Sequence, residues 1–250
     1  MNNPVKTIIV DMYRQSSTRS CGTNSYQGLR IHAFRGLHDF LESKAIEYFK
    51  AESKLLDMAA GSGAMSLRMQ DLGFNVHSTD YVCENFKLEP SLFIQADLNE
   101  VFPEKFSNSF DSIIASEIIE HVENPRHFAR ECFKLLAPGG RMLLSTPNVE
   151  TTASMALFIQ TGCFLWFSNK NYNVDGHITP LTQWQIQKSF KEAGFEFVWK
   201  GYFGKGRKKH WWKRPLKLIL LEKCIKLLST KTVEPEGEVF VAVLEKPQTQ

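Results

Sequence analysis

The sequence predicts an α/β fold: a doubly wound, mostly parallel seven-stranded sheet with an antiparallel edge strand. Three observations carry that expectation. Short β-rich runs alternate with helical stretches between residues 54 and 146, and parallel strands need crossovers of that kind, wound right-handed. The run Lys54-Leu-Leu-Asp-Met58 ends in the glycine-rich turn Ala59-Ala-Gly-Ser-Gly63, which opens directly into a helix. Near the C-terminus two further strand-like runs flank an insertion and suit an antiparallel pair.

The elements are expected in the following order. Residues 12–50 form a helical N-terminal cover, because Leu37, Phe40, Leu41, Ala45, Tyr48 and Phe49 recur at helical spacing. After the first strand and its turn, a helix runs from Met65 to Leu72. Strands follow at Asn75 to Thr79, which ends at Asp80, then at Ser91 to Ala96 and at Phe110 to Ser116. A helix from Pro125 to Leu136 is stopped by Pro138-Gly-Gly140, and the fifth strand is Arg141 to Thr146. Residues 148–180 read as an insertion with a short apolar helix and a polar loop. Leu181 to Ala193 is a helix ended by Gly194. Strands at Phe195 to Phe203 and Glu238 to Glu245 flank a basic amphipathic insertion, residues 204–232. Residues 1–250 read as a single domain.

Composition narrows the setting. With 43% hydrophobic and 23% charged residues, the chain can build a full-sized core without metal or disulfide staples. Its five cysteines (Cys21, Cys83, Cys132, Cys163, Cys224) are scattered and form no Cys-x-x-Cys pair, which suits a reduced, cytoplasmic protein. Met1 to Asp11 lacks the pattern of a signal peptide. The longest apolar stretch, Met155 to Phe167, is broken by Gln160, Thr161 and Gly162, so no membrane span is expected. Charge is segregated: Lys200 to Lys231 holds eleven Lys or Arg against Glu222 alone, leaving 19 bases against 26 acids elsewhere. Such a segment suits an anionic partner.

A strand that ends in glycines and opens a helix is the Rossmann-like arrangement, in which backbone N–H groups approach a ligand closely. An acid about twenty residues later, at the tip of the next strand, can accept both hydroxyls of a ribose. Asp80 lies nineteen residues after Gly61 and meets that requirement. A nicotinamide dinucleotide makes the same demand, so the turn alone does not choose its ligand.

From about residue 50 to 200 the chain resembles the class I S-adenosylmethionine-dependent methyltransferases. Leu55-Leu-Asp-Met-Ala-Ala-Gly-Ser-Gly63 resembles their first motif, with Asp57 as the acid before Gly61 and Gly63. Ala59 stands where the first glycine is usual, which tightens the turn. Asp80 and Tyr81 resemble the second motif, a ribose-binding acid and a neighbour packed on adenine. Gln95-Ala-Asp-Leu98 resembles the third, where Asp97 would receive the adenine amino group. Leu98 and Ser116 complete the set expected around the cofactor. Arg35 lies in a segment similar to the N-terminal region of ubiquinone-pathway O-methyltransferases, where an arginine pairs with the methionine carboxylate.

Ser116-Glu-Ile-Ile-Glu-His-Val122 follows the fourth strand. In a helical turn Glu117 and Glu120 would share a face with His121 adjoining, and His177 could approach from beyond the fifth strand. The pattern resembles both the ubiquinone-biosynthesis O-methyltransferases and the terminal 2′-O-methyltransferases of small RNA. That resemblance implies Mg²⁺ or another divalent ion on Glu117, Glu120, His121 and His177. Metal-free catalysis by His121 or His177, with Glu117 positioning, and a purely structural role both stay open. Hydroxyl methylation is favoured because a metal or histidine is needed there to remove the proton, while an amine acceptor, which needs less help, and a carbon acceptor stay open.

For the acceptor, the basic insertion offers two readings. On a helical wheel Leu216, Leu218, Leu220, Leu221, Cys224, Ile225, Leu227 and Leu228 span roughly 200°. Lys223 and Lys226 lie opposite, Lys217 intrudes, Ile219 strays, and Trp211-Trp212 precede the helix. That suits an anionic membrane surface or an amphiphilic substrate such as a quinone precursor or glycolipid intermediate. It equally suits packing on the body or on a second subunit. RNA is the lesser alternative, with Arg207, Lys208, Lys209, Lys213 and Arg214 on phosphates. A methyltransferase-like scaffold without catalysis is the remaining possibility, against which the intact Asp57, Gly61, Gly63, Asp80 and Asp97 speak.

Overall fold

Alternating apolar residues on successive strands build two cores, one on each face of a single sheet. A computed structural model describes residues 24–204, 215–229 and 237–248. The strands are β1 (Lys54–Met58), β2 (Asn75–Asp80), β3 (Phe93–Gln95), β4 (Phe110–Ser116), β5 (Leu136–Pro147), β6 (Glu196–Phe203) and β7 (Val239–Glu245). Along β1, β4, β5 and β7, the residues Leu56, Ile113, Met142 and Ala242 point to one core, while Leu55, Ile114, Leu143 and Val243 point to the other. The period of two, with both sets buried, is what a sheet covered on both faces requires.

The helices are α1 (Leu37–Tyr48), α2 (Ala64–Asp71), α3 (Pro125–Leu135), α4 (Thr152–Thr161), α5 (Asn169–Asp175), α6 (Gln183–Ala193) and α7 (Leu216–Leu228). Residues of α1 and α2 belong to one core, and those of α3 and α6 to the other. Strand order is β3-β2-β1-β4-β5-β7-β6. The first five strands are parallel, and β7 runs antiparallel to both β5 and β6. The antiparallel pair expected at the edge of the sheet is therefore β6 with β7.

Local signals account for most boundaries. Asn124 accepts from the amides of Arg126 and His127 and starts α3 with Pro125 in its first turn. Thr182 and Gln185 form a capping box, so α6 begins at Gln183 rather than Leu181. A second box, Ser168 with Asn171, makes α5 out of residues expected as polar loop. The N-terminal cover is less helical than expected: before α1, Ser25–Tyr26 and Leu29–Arg30 pair as a short hairpin. Residues 12–23 of the cover lie outside the described residues, as do Arg207 to Arg214 with Trp211 and Trp212. Pro138-Gly-Gly140 does not precede β5 but forms an irregularity within it, between the pairs Phe110–Leu136 and Ser112–Arg141. A Cβ at Gly140 would lie 2.8 Å from the Ala137 carbonyl oxygen, so only glycine allows that bulge. Among the described residues, no helix is long and apolar enough to cross a membrane.

A buried polar chain links α2 to the sheet. Ser78 Oγ donates to Ser66 Oγ (2.9 Å), and Ser66 Oγ donates to Asp57 Oδ2 (2.6 Å). Asp57 is 2% exposed. Burial pushes its carboxyl up to about 7, against the opposing pull of the Ser66 hydrogen bond. The folded carboxyl thus holds its proton more tightly than the unfolded one. Its contribution to stability is greatest in acid and declines as pH rises from the usual carboxylate range to about 7. Ser66→Ala should cost about 1–3 kcal/mol near about pH 8, where the carboxylate is charged, and less near about pH 5. Urea denaturation at both pH values measures this; equal losses would reduce Ser66 to a packing role.

Candidate active site

Parallel register sets the C-terminal ends of β1 to β4 side by side, and the chemistry-bearing residues cluster there. Leaving β1, the chain turns sharply at Ala59, whose φ of 59° is left-handed. The Ala60 amide donates to the Thr79 carbonyl (2.9 Å). The Gly61 amide donates to Asp80 Oδ2 (2.8 Å), and the Val82 amide donates to Asp80 Oδ1 (3.0 Å). At Gly63 (φ 90°) a Cβ would come within 3.0 Å of Leu88 and 3.1 Å of Phe86. Ser62 Oγ donates to the Arg30 carbonyl (2.7 Å), fastening the N-terminal cover to the turn.

The turn opens on a cavity of about 510 Å³. Ala59, Gly61, Asp80, Tyr81, Asp97, Leu98, Ser116, Glu117, His121 and His177 line it. Asp57, Gly63 and Glu120 lie behind the lining; Asp57 props α2 through Ser66 instead. Arg35 is exposed and does not line the cavity, whereas Arg30 does, within the wall Arg30 to Phe34. The reason is the hairpin: its return strand, Leu29–Arg30, carries the chain over the glycine turn five residues before Arg35. The insertion after β5 reaches the cavity with Trp166, from the apolar stretch Met155 to Phe167, and with Val174 and Asp175, which the sequence did not single out.

Beyond the turn stands the acid–histidine cluster. Glu117 has a φ of 52°, a strained conformation for a non-glycine residue. Its amide donates to the Ser145 carbonyl and hydroxyl (both 3.1 Å), and Ser145 Oγ donates to Glu117 Oε1 (2.9 Å). Burial raises the Glu117 carboxyl to about 7. Glu120 sits in the 3₁₀ turn Ile119–His121 and is fully buried. Thr146 Oγ1 donates to its Oε2 (2.9 Å), while Oε1 has no hydrogen-bond partner and lies 3.8 Å from His121 Nε2. Burial, and then the Glu117 charge, pushes the Glu120 carboxyl well above its ordinary range.

The Glu120 carbonyl accepts from the amides of Ile178 and Thr179 (3.2 and 3.0 Å) and so brings His177 alongside. The His121 and His177 rings meet edge to face, 4.9 Å apart. Burial, reinforced by His177, lowers His121 to about 3, so its imidazole is neutral. His177 Nδ1 lies 2.9 Å from the Trp166 carbonyl. A carbonyl only accepts, so Nδ1 carries the hydrogen and Nε2 is left as a lone pair. Ligand atoms of Glu120, His121 and His177 all lie within 4.8 Å of one another. Glu117, the fourth residue of the expected set, is not in that group. It stands in left-handed backbone before the 3₁₀ turn begins, so the shared helical face with Glu120 does not form.

Comparison with known proteins identifies the family and the fold. A family model described as a methyltransferase domain matches residues 29–200. A ubiquinone biosynthesis O-methyltransferase of a Caulobacter species is 30% identical over 145 residues, covering 51% of this chain and 57% of that protein. Its counterpart in Psychrobacter arcticus is 35% identical over 163 residues, covering 61% of this chain and 62% of that protein. The chain thus spans about three-fifths of the length of these relatives. Among solved structures, an S-adenosylmethionine-dependent methyltransferase from Archaeoglobus fulgidus superimposes with a TM-score of 0.57 at 16% identity. That match covers 85% of this chain and 96% of the other, and it establishes the fold.

The left-handed Ala59 yields a direct test. Ala59→Gly should leave stability within about 1 kcal/mol, because relief of backbone strain offsets the added freedom of the unfolded chain. Ala59→Val should cost more than about 2 kcal/mol, since a β-branched residue tolerates positive φ poorly. Equal urea midpoints for the two variants would show that φ is not the constraint.

Proposed function

Because the chain belongs to the class I S-adenosylmethionine-dependent methyltransferases, we propose that it methylates a hydroxyl of an amphiphilic or lipid-linked small molecule. The observation that carries this reading is the orphaned, buried Oε1 of Glu120 beside two neutral imidazoles at the cavity. Transfer from a sulfonium needs little beyond alignment, and a hydroxyl acceptor adds the removal of a proton. His177 has the lone pair to receive it, held in place by the Trp166 carbonyl.

A divalent ion fits the same donors: one carboxylate oxygen with no partner and two imidazole nitrogens. When bound by Glu120, His121 and His177, it would supply Lewis acidity that makes the hydroxyl easier to deprotonate. Two nitrogens among three donors suit manganese, iron or zinc better than magnesium, which prefers oxygen.

On the cofactor side, Asp80 would accept the ribose hydroxyls, with Tyr81, Asp97 and Leu98 around the adenine. Arg30, in place of Arg35, would meet the methionine carboxylate, since it is the arginine at the cavity wall. The acceptor side is walled by Phe34, Trp166 and Val174, surfaces for the apolar part of a substrate. The relatives named for ubiquinone biosynthesis support a quinone precursor as one candidate.

Two measurements test this reading. Transfer of tritiated methyl into lipid and RNA extracts should appear in the lipid fraction. It should fall at least about 100-fold in His177→Ala and be abolished by EDTA. Transfer that survives chelation removes the metal and leaves His177 as base; transfer into RNA alone overturns the acceptor class. In calorimetry, Arg30→Met should weaken S-adenosylmethionine binding by about 10-fold or more, and Arg35→Met should not.

A further inference from the structure

We infer that the outer face of α7 docks on an anionic lipid bilayer. The helix has two apolar sides rather than one broad face. Leu218, Leu221 and Ile225 are half-buried where α7 packs on α4. On the other side Leu216, Leu220 and Leu227 are 70%, 53% and 85% exposed, and Leu228, in line with Leu221 but in the last turn, is 79% exposed. At about 100° per residue, Leu216, Leu220 and Leu227 form one narrow stripe with Lys223 beside it and Lys217 beyond its other edge. Both lysines are exposed. A leucine stripe between lysines lets the apolar chains enter the acyl boundary while the ammonium groups reach back to headgroups. On α4, Phe158 and Ile159 are exposed as well.

Charge decides among the occupants. Helix α7 carries Lys217, Lys223 and Lys226 against Glu222, and the sequence just before it adds Lys205, Arg207, Lys208, Lys209, Lys213 and Arg214 with no acid. A second copy of the chain would set this positive face against itself. An RNA strand would satisfy the bases and leave the leucines in water. An anionic membrane satisfies both. Soon after α4 the chain lines the cavity with Trp166, Val174, Asp175 and His177, so the exposed apolar residues of α4 and the cavity wall are neighbours in sequence. Passage of an amphiphile from bilayer to cavity rests on the methyl-transfer reading; the docking does not.

The test is co-sedimentation of the full chain with phosphatidylcholine vesicles, with and without phosphatidylglycerol. Binding should be at least about tenfold tighter with the anionic lipid. Leu220→Asp/Leu227→Asp should lower it by about tenfold or more, with circular dichroism and S-adenosylmethionine affinity unchanged. Lys217→Glu/Lys223→Glu should remove the preference for phosphatidylglycerol. The inference fails if the wild-type chain ignores anionic vesicles, or if both variants bind them as tightly as wild type. It also fails if wild type is a dimer in solution that the leucine variant dissociates without any vesicle binding.

Discussion

The Gly61 amide and the Asp80 carboxylate tie the ends of two neighbouring parallel strands together, and the site is arranged around that bond. In the β1–β2 register Met58 faces Thr79, so the chain leaving β1 meets Asp80 only by turning back at once. The left-handed Ala59 and the glycines behind it are consequences of that demand. Asp80 serves twice, since its other oxygen holds the Val82 amide and so fixes the loop that begins with Tyr81. A carboxylate used in this way is costly, because burial raises its pKa, and two amide donors offset part of that cost.

The same economy recurs around the cavity. Asp57, Glu117 and Glu120 are all desolvated and, among the described residues, none is paired with a Lys or Arg. Hydroxyls of Ser66, Ser145 and Thr146 stand in for cations. Hydroxyl donors hold a carboxyl in place without supplying a counter-charge, so burial still raises its pKa. For Asp57 both position and partner point inward, to the support of α2. For Glu120 one oxygen remains without a hydrogen-bond partner, beside His121.

Much of this was legible in the residues themselves. The spacing from Gly61 to Asp80 follows from one helix and one strand, and capping residues such as Thr182 mark their own boundaries. The position of Arg30 at the cavity wall was not legible, because it depends on a hairpin that brings the N-terminal segment over the turn. Its one local signal is Gln27-Gly28, whose positive φ values mark a tight turn. The grouping of Glu120 with His121 and His177, without Glu117, depends on a 3₁₀ turn and on two backbone bonds to Ile178 and Thr179. Side-chain spacing cannot distinguish that turn from an α-helix. The wheel of α7 merged two apolar sides because periodicity records hydrophobicity, not which neighbour covers it.

The placement of β7 has a consequence for how such a chain can change. Phe203 pairs with Val239, so everything between them is one excursion closed at its base by the sheet. The entropy of closing such a loop grows only with the logarithm of its length, about 0.6 kcal/mol for each doubling. The excursion can therefore lengthen, shorten or exchange its surface helix while β7 stays seated between β5 and β6. The sheet that carries the site and the surface helix of the excursion are free to diverge at different rates, because the β6–β7 pairing closes the base of the excursion.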